Sequence, residues 1–209
     1  MFAMLLLAVA TPLAAQVNHA PPATASLESL KDLIPRLREG RHVLLVRHER
    51  TEIPSRDDDY SRSPGECPAQ RNLSVAGAAG AEQTGRAIRA LGIPIREVIA
   101  SPMCRGWDTA RWMFGNARAD ARLMHHDPDG ARTLDIAAAE IAALLTEIEP
   151  LPGGNVVLIS HAANIFRASG ERVPEGGIVI LRHGDDRRWH TVGRFSGTDL
   201  ESPMDFIRL

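Results

Sequence analysis

Apolar residues follow two rhythms along this chain. Short continuous runs, Val43–Val46, Val98–Ala100 and Val156–Ile159, have strand length and no alternation, as expected of strands covered on both faces in a parallel sheet. Between them apolar positions recur at helical spacing. Ser26 is placed to cap a helix carrying Leu27, Leu30, Leu33, Ile34 and Leu37 on one face and stopped by Gly40, with Pro35 expected to kink or split it. Ser74 caps a second helix to about Leu91, closed by Gly92 and followed by Pro94. Thr109–Phe114 reads as helical, and Asp135 opens a helix with Ile141, Leu144, Leu145 and Ile148 on one face. Pro152-Gly153-Gly154 turns the chain into the run at 156–159, and Ile178–Leu181 with Trp189–Val192 predict a hairpin about Gly184-Asp185-Asp186. Strands alternating with helices predict an α/β domain, a three-layer sandwich with a mainly parallel central sheet flanked by helices.

The polar stretches add organisation. Residues 52–70 form a long loop rich in Asp, Arg, Ser and Pro, holding the only tyrosine, Tyr60. Loops of that length in compact domains are usually functional or disordered. Its Asp57-Asp58-Asp59 run reads as a solvated face. At the start, the apolar run Phe2–Ala10 and the small residues up to Ala15 read as an export signal cleaved after Ala15, although no Lys or Arg precedes the run. The run is too short to span a bilayer. Residues 16–25 then form a flexible leader and 26–209 a single domain, expected in a periplasm or outside the cell with no stable membrane insertion.

Composition narrows the classes. The chain has 209 residues, 44% hydrophobic and 24% charged, enough for one full core. A formal net charge of −2 gives no field for nucleic acid, so affinity for anions must come from local arginines. Cys67 and Cys104 can pair in an oxidising compartment or stay as two thiols; their spacing makes no zinc site. Each precedes an arginine, Arg71 or Arg105, so a bridge would tie two loops together.

Sites in open α/β sheets form beyond the carboxyl ends of strands. Arg47-His48, Arg105 and His161 all follow strand ends and can meet there. An imidazole can take a phosphoryl group covalently, and arginine forks match its spread of charge. Together they predict phosphoryl-transfer chemistry.

The motifs that carry these residues resemble those of the histidine phosphatase superfamily, the phosphoglycerate-mutase-like clan. Arg47-His48 is similar to its Arg-His-Gly motif and Leu73-Ser74-Val75-Ala76-Gly77 to its Leu-Ser-x-x-Gly segment. Ser101-Pro102-Met103-Cys104-Arg105 with Thr109-Ala110 is similar to its Ser-Pro-x-x-Arg…Thr-Ala block, and Ile159-Ser160-His161 to its second-histidine strand. The resemblance runs from about residue 42 to 195 and points to the short, mutase and phosphatase branch. It implies His48 as phosphoryl acceptor, with Arg47, Arg105 and His161 binding the phosphoryl group. Thr51 falls where the family often has a phosphate-contacting hydroxyl, and Arg71 is either a site arginine or a structural one. The resemblance implies no metal and no cofactor, and a small-molecule or macromolecular phosphomonoester as partner.

Three departures bear on function. Glu49 stands where the motif has a small residue, and a carboxylate there should repel phosphate unless it points away or pairs with Arg50. The helix after Gly77 reads Ala-Ala-Gly-Ala-Glu-Gln where relatives are bulkier, a change expected to affect stability alone. The glutamate acid of the mutase branch is missing; Asp127 is the first candidate for proton donor, with Asp129 and Glu175 as rivals. His125-His126 reads as an exposed loop pair, and His183 and His190 as hairpin surface residues. The reading that follows is a metal-independent phosphomonoesterase. Its rival is a catalytically weak relative that binds phosphorylated ligands or a protein partner.

Overall fold

The computed structural model describes residues 27–53, 58–59, 61–62, 65–127 and 130–200. The export signal, the leader, Ser26, Asp57, Tyr60 and Asp129 lie outside them. In chain order the elements are α1 (Leu30–Glu39), β1 (His42–Arg47), α2 (Val75–Ala90), β2 (Ile95–Ala100), α3 (Cys104–Phe114), β3 (Arg118–Ala119), α4 (Leu134–Glu147), β4 (Asn155–Ser160), α5 (Ala162–Ser169), β5 (Ile178–His183) and β6 (Trp189–Phe195).

The strands form one sheet in the order β3-β2-β4-β1-β5-β6. β1, β4, β2 and β3 are mutually parallel, and β5 runs against both β1 and β6. The apolar run of β1 needs no alternation because both faces are covered. Leu44 and Val46 join a core built with α1, α2 and α3, while Val43 and Leu45 join a second with α4 and α5. This is the expected three-layer sandwich.

Most boundaries follow local chemistry. The Ser74 hydroxyl accepts the Gly77 N–H and opens α2. In α1 the cap is Ser29, whose side chain accepts the Asp32 N–H, so the helix starts three residues after the predicted Ser26. Pro35 does not split it; α1 runs through as one helix. A proline removes one intrahelical bond, and the burial of Leu33, Ile34 and Leu37 outweighs that loss. The hairpin turn at 184–188 closes through the Gly184 N–H to the Arg188 carbonyl at 2.8 Å.

The long polar loop is tied down at its ends. Thr51 pairs with Leu73, and Cys67 and Cys104 form a disulfide with their Cα atoms 5.6 Å apart. Of the two states open to the cysteines, the bridged one is present, and it staples the loop to the first residue of α3. No helix among the described residues is long and apolar enough to cross a membrane.

Candidate active site

Three neighbouring parallel strands, β2, β4 and β1, end on the same edge of the sheet, and each delivers a polar residue there. The His48 N–H bonds the Ser160 carbonyl at 3.0 Å, and the Ser101 N–H bonds the Ile159 carbonyl at 2.9 Å, so the ladder continues one residue past each strand. His161 follows β4 directly. Arg105 is in the first turn of α3, immediately beyond the Ser101 strand end.

His48 is buried, and its Nδ1 lies 2.8 Å from the Glu49 carbonyl oxygen. A carbonyl only accepts, so the ring proton belongs on Nδ1, and Nε2 carries the lone pair. Burial pushes the His48 pKa well below the ordinary histidine range, and the neighbouring Arg105 guanidinium pushes it further. The ring is therefore neutral and nucleophilic at neutral pH.

His161 is wholly buried, with its ring centroid 5.3 Å from that of His48. Its Nε2 is 2.9 Å from the Ser101 hydroxyl, which also accepts the Met103 N–H. The Ser101 hydroxyl can give its own proton to Nε2, and in that tautomer the His161 proton is on Nδ1. Burial lowers the His161 pKa as well, with Arg105 adding to it. His125 packs edge-on against His161 at 5.3 Å, and burial takes its pKa down to about 4.

Arg105 is the largest wholly buried side chain. Its NH1 pairs with Asp58 at 2.8 Å, and the same carboxylate oxygen accepts the Arg71 N–H. Arg71 is near enough to depress the pKa values of Arg47, His48 and His161. Arg47 reaches the Val173 carbonyl at 3.1 Å and Glu175 at 3.7 Å. Arg47 Nε, Arg105 Nε and His161 Nδ1 are all buried without a hydrogen-bond partner. Unpaired buried donors are costly, and three on converging side chains suit an oxyanion that arrives with its own acceptors.

No family model and no curated protein matches this chain. Solved structures do. The protein histidine phosphatase SixA complexed with tungstate aligns with a TM-score of 0.53 at 17% identity, over 77% of this chain and 99% of its own. A mycobacterial glucosyl-3-phosphoglycerate phosphatase in complex with VO3 aligns at 0.57 and 19% identity, over 72% of this chain and 97% of its own. A phosphoserine phosphatase from Entamoeba histolytica aligns at 0.56 and 13% identity, over 75% and 97%. The chain has the histidine phosphatase fold.

Within that fold the departures noted in the sequence have structural answers. The Glu49 carboxylate lies beside Gly80 of α2 and Gly176, and pairs with Arg50 at 3.6 Å. Burial raises its pKa, with Arg50 pulling the other way. A Cβ at position 80 would come within 2.9 Å of that carboxylate. The small residue in α2 therefore makes room for Glu49, a larger role than the effect on stability alone that was expected.

Thr51 and Glu175 come together: the Thr51 hydroxyl donates to Glu175 at 3.3 Å, so one carboxylate joins Thr51 to Arg47. The Asp127 carboxylate folds back over Gly130 in its own turn. Among the described residues no three His, Cys, Asp or Glu side chains are grouped as metal ligands. His183 and His190 stand on the hairpin as expected, His190 against Asp186 at 2.8 Å. Sequence reasoning missed two neighbours. Asp58 is not solvated but 8% exposed against Arg105, and His125 is not an exposed loop residue but half-buried on His161. Neither has a local signal, because both reach the site from loops whose path no periodicity encodes.

Proposed function

We propose that this protein is a phosphatase that hydrolyses a phosphomonoester through a phosphohistidine on His48, without a metal. The observation that carries the reading is the His48 ring. Its Nδ1 is committed to the Glu49 carbonyl, which leaves a neutral Nε2 beside buried, unpartnered donors on Arg47, Arg105 and His161. Tungstate and VO3 in two structures of the same fold support an oxyanion there.

Nε2 forms the N–P bond as the P–O bond to the alcohol breaks. The three donors stabilise charge on the phosphoryl oxygens, and the alcohol takes a proton from Glu175. Water then forms a new P–O bond and gives a proton back to Glu175, and the N–P bond breaks to release phosphate. Of the proton-donor candidates, Glu175 touches Arg47 and Thr51, and Asp127 lies against Gly130. The pairing of Glu49 with Arg50 weakens the main motive for the rival, binding-only reading.

The test is p-nitrophenyl phosphate hydrolysis in EDTA, with acid-labile phosphate on the quenched enzyme as a second readout. His48→Ala should lower kcat by about ten-thousandfold and abolish the labelled intermediate. Glu175→Gln should slow an alkyl phosphate by about a hundredfold and p-nitrophenyl phosphate far less, because that leaving group needs no proton. Turnover that survives His48→Ala, or that EDTA abolishes, sinks the reading. We also propose export, with cleavage after Ala15; the apolar run at 2–10 and the Cys67–Cys104 bridge support it.

A further inference from the structure

A groove of about 640 Å³ opens beside Arg47, between the first residues of α4 and α5 and the segment that leads into β5. That volume suits a small molecule. Its walls are apolar: Leu134 and Phe166 are each 37% exposed, and Val173 closes one side. Arginines line the rest. Arg167 pairs with Asp135 at the mouth. Arg172 has its guanidinium 4.2 Å above the Phe166 ring and makes no ion pair with any described carboxylate.

The groove shares Arg47 with the phosphoryl site. Arg47 lines it, and the Arg47 NH1 donates to the carbonyl of Val173, the residue next to Arg172. A ligand that engages Arg47 with its phosphoryl group therefore has an apolar groove beside it, with the Arg172 cation in its lining. The stacked Phe166 ring holds Arg172 in place, so less rotamer freedom is lost when an anion binds.

We propose that this groove is a second binding subsite, which takes the alcohol portion of the substrate and selects one with an apolar body ending in an anionic group, a carboxylate or a second phosphate. The inference rests on the phosphatase reading. It disfavours a neutral sugar as the alcohol, since Leu134, Phe166 and Val173 offer its hydroxyls no partner.

The experiment compares kcat/KM for phenyl phosphate, 4-carboxyphenyl phosphate and benzene-1,4-diyl bisphosphate. In the wild-type protein the anionic substrates are expected to be favoured by about tenfold or more, the worth of one charge-assisted contact. Whichever is favoured more names the anion. Arg172→Ala should bring the ratio of anionic to plain substrate close to one, and Arg172→Lys should restore part of it. Position 172 is on the surface, and an unchanged melting temperature checks that the variants fold. Equal rates for all three substrates in the wild type, or the same ratio in wild type and Arg172→Ala, overturn the subsite and leave the phosphatase standing. Failure to hydrolyse even phenyl phosphate overturns the phosphatase reading, and the subsite with it.

Discussion

The three histidines of the site are packed as neutral rings, and their burial has a cost that depends on pH. Each has a folded-state pKa below the ordinary value of 6.5, His125 at about 4 and His48 and His161 well below 6.5. Below pH 6.5 the unfolded chain binds protons that the folded chain refuses, so stability falls as pH falls. The loss should approach about 1 kcal/mol per pH unit for each ring. It should end near pH 4 for His125. Melting temperature measured between pH 7.5 and 4.5 is expected to drop continuously below 6.5, while the acid limb of kcat/KM lies below 6.5 because His48 stays unprotonated. A melting temperature flat across that range would contradict the neutral packing. The strand-end residues Arg47, His48, Arg105 and His161 were legible because each sits at a break between an apolar run and a polar residue. Asp58 was not, since its partner Arg105 is 47 positions away and only the folded loop joins them.

At the scale of elements, the disulfide fixes the loop that frames the arginines. Gln70 accepts the Cys104 N–H at 2.9 Å, and the Arg71 N–H reaches Asp58, so the bridge, the loop and the start of α3 form one unit around Arg105. The double substitution Cys67→Ser, Cys104→Ser should cost about 2–4 kcal/mol of stability. It should also lower kcat/KM by about tenfold to a hundredfold through misplaced arginines. Thermal unfolding and p-nitrophenyl phosphate turnover check the two effects separately, and full activity in the variant would show that the loop needs no staple. Helices α2 and α4 and all the longer strands were readable from caps and periodicity. The helix α5 was not legible because it begins immediately after His161 at the end of β4, and no side chain caps its first turn. The strand β3 has two residues, too few for any pattern to show. The cap of α1 was placed at Ser26 instead of Ser29 because both serines precede the same apolar face, and the Asp32 N–H decides between them.

For the molecule as a whole, export is the proposal that sets where the chemistry takes place. Expressed in a host with a periplasm, the protein is expected to appear in that fraction with Gln16 as its first residue and with no free thiol on Cys67 or Cys104; an intact Met1 there, or a cytosolic chain with reduced cysteines, would rule it out. The layered plan was visible from the alternation of strands and helices. The strand order was not, because nothing local tells β4 to insert between β1 and β2. That insertion has a consequence in time. The central pairing of the sheet joins positions 113 apart in the chain, as the bond from His42 to Asn155 shows, and its neighbour joins positions about 59 apart, Val98 with Val157. Loops of that span close before their contacts stabilise anything, so assembly is slow by topology. His48 gains His161 as a neighbour only once the chain beyond residue 161 exists and has threaded into the middle of the sheet. A growing polypeptide therefore carries His48 long before it carries a site, and competence arrives with completion of the fold.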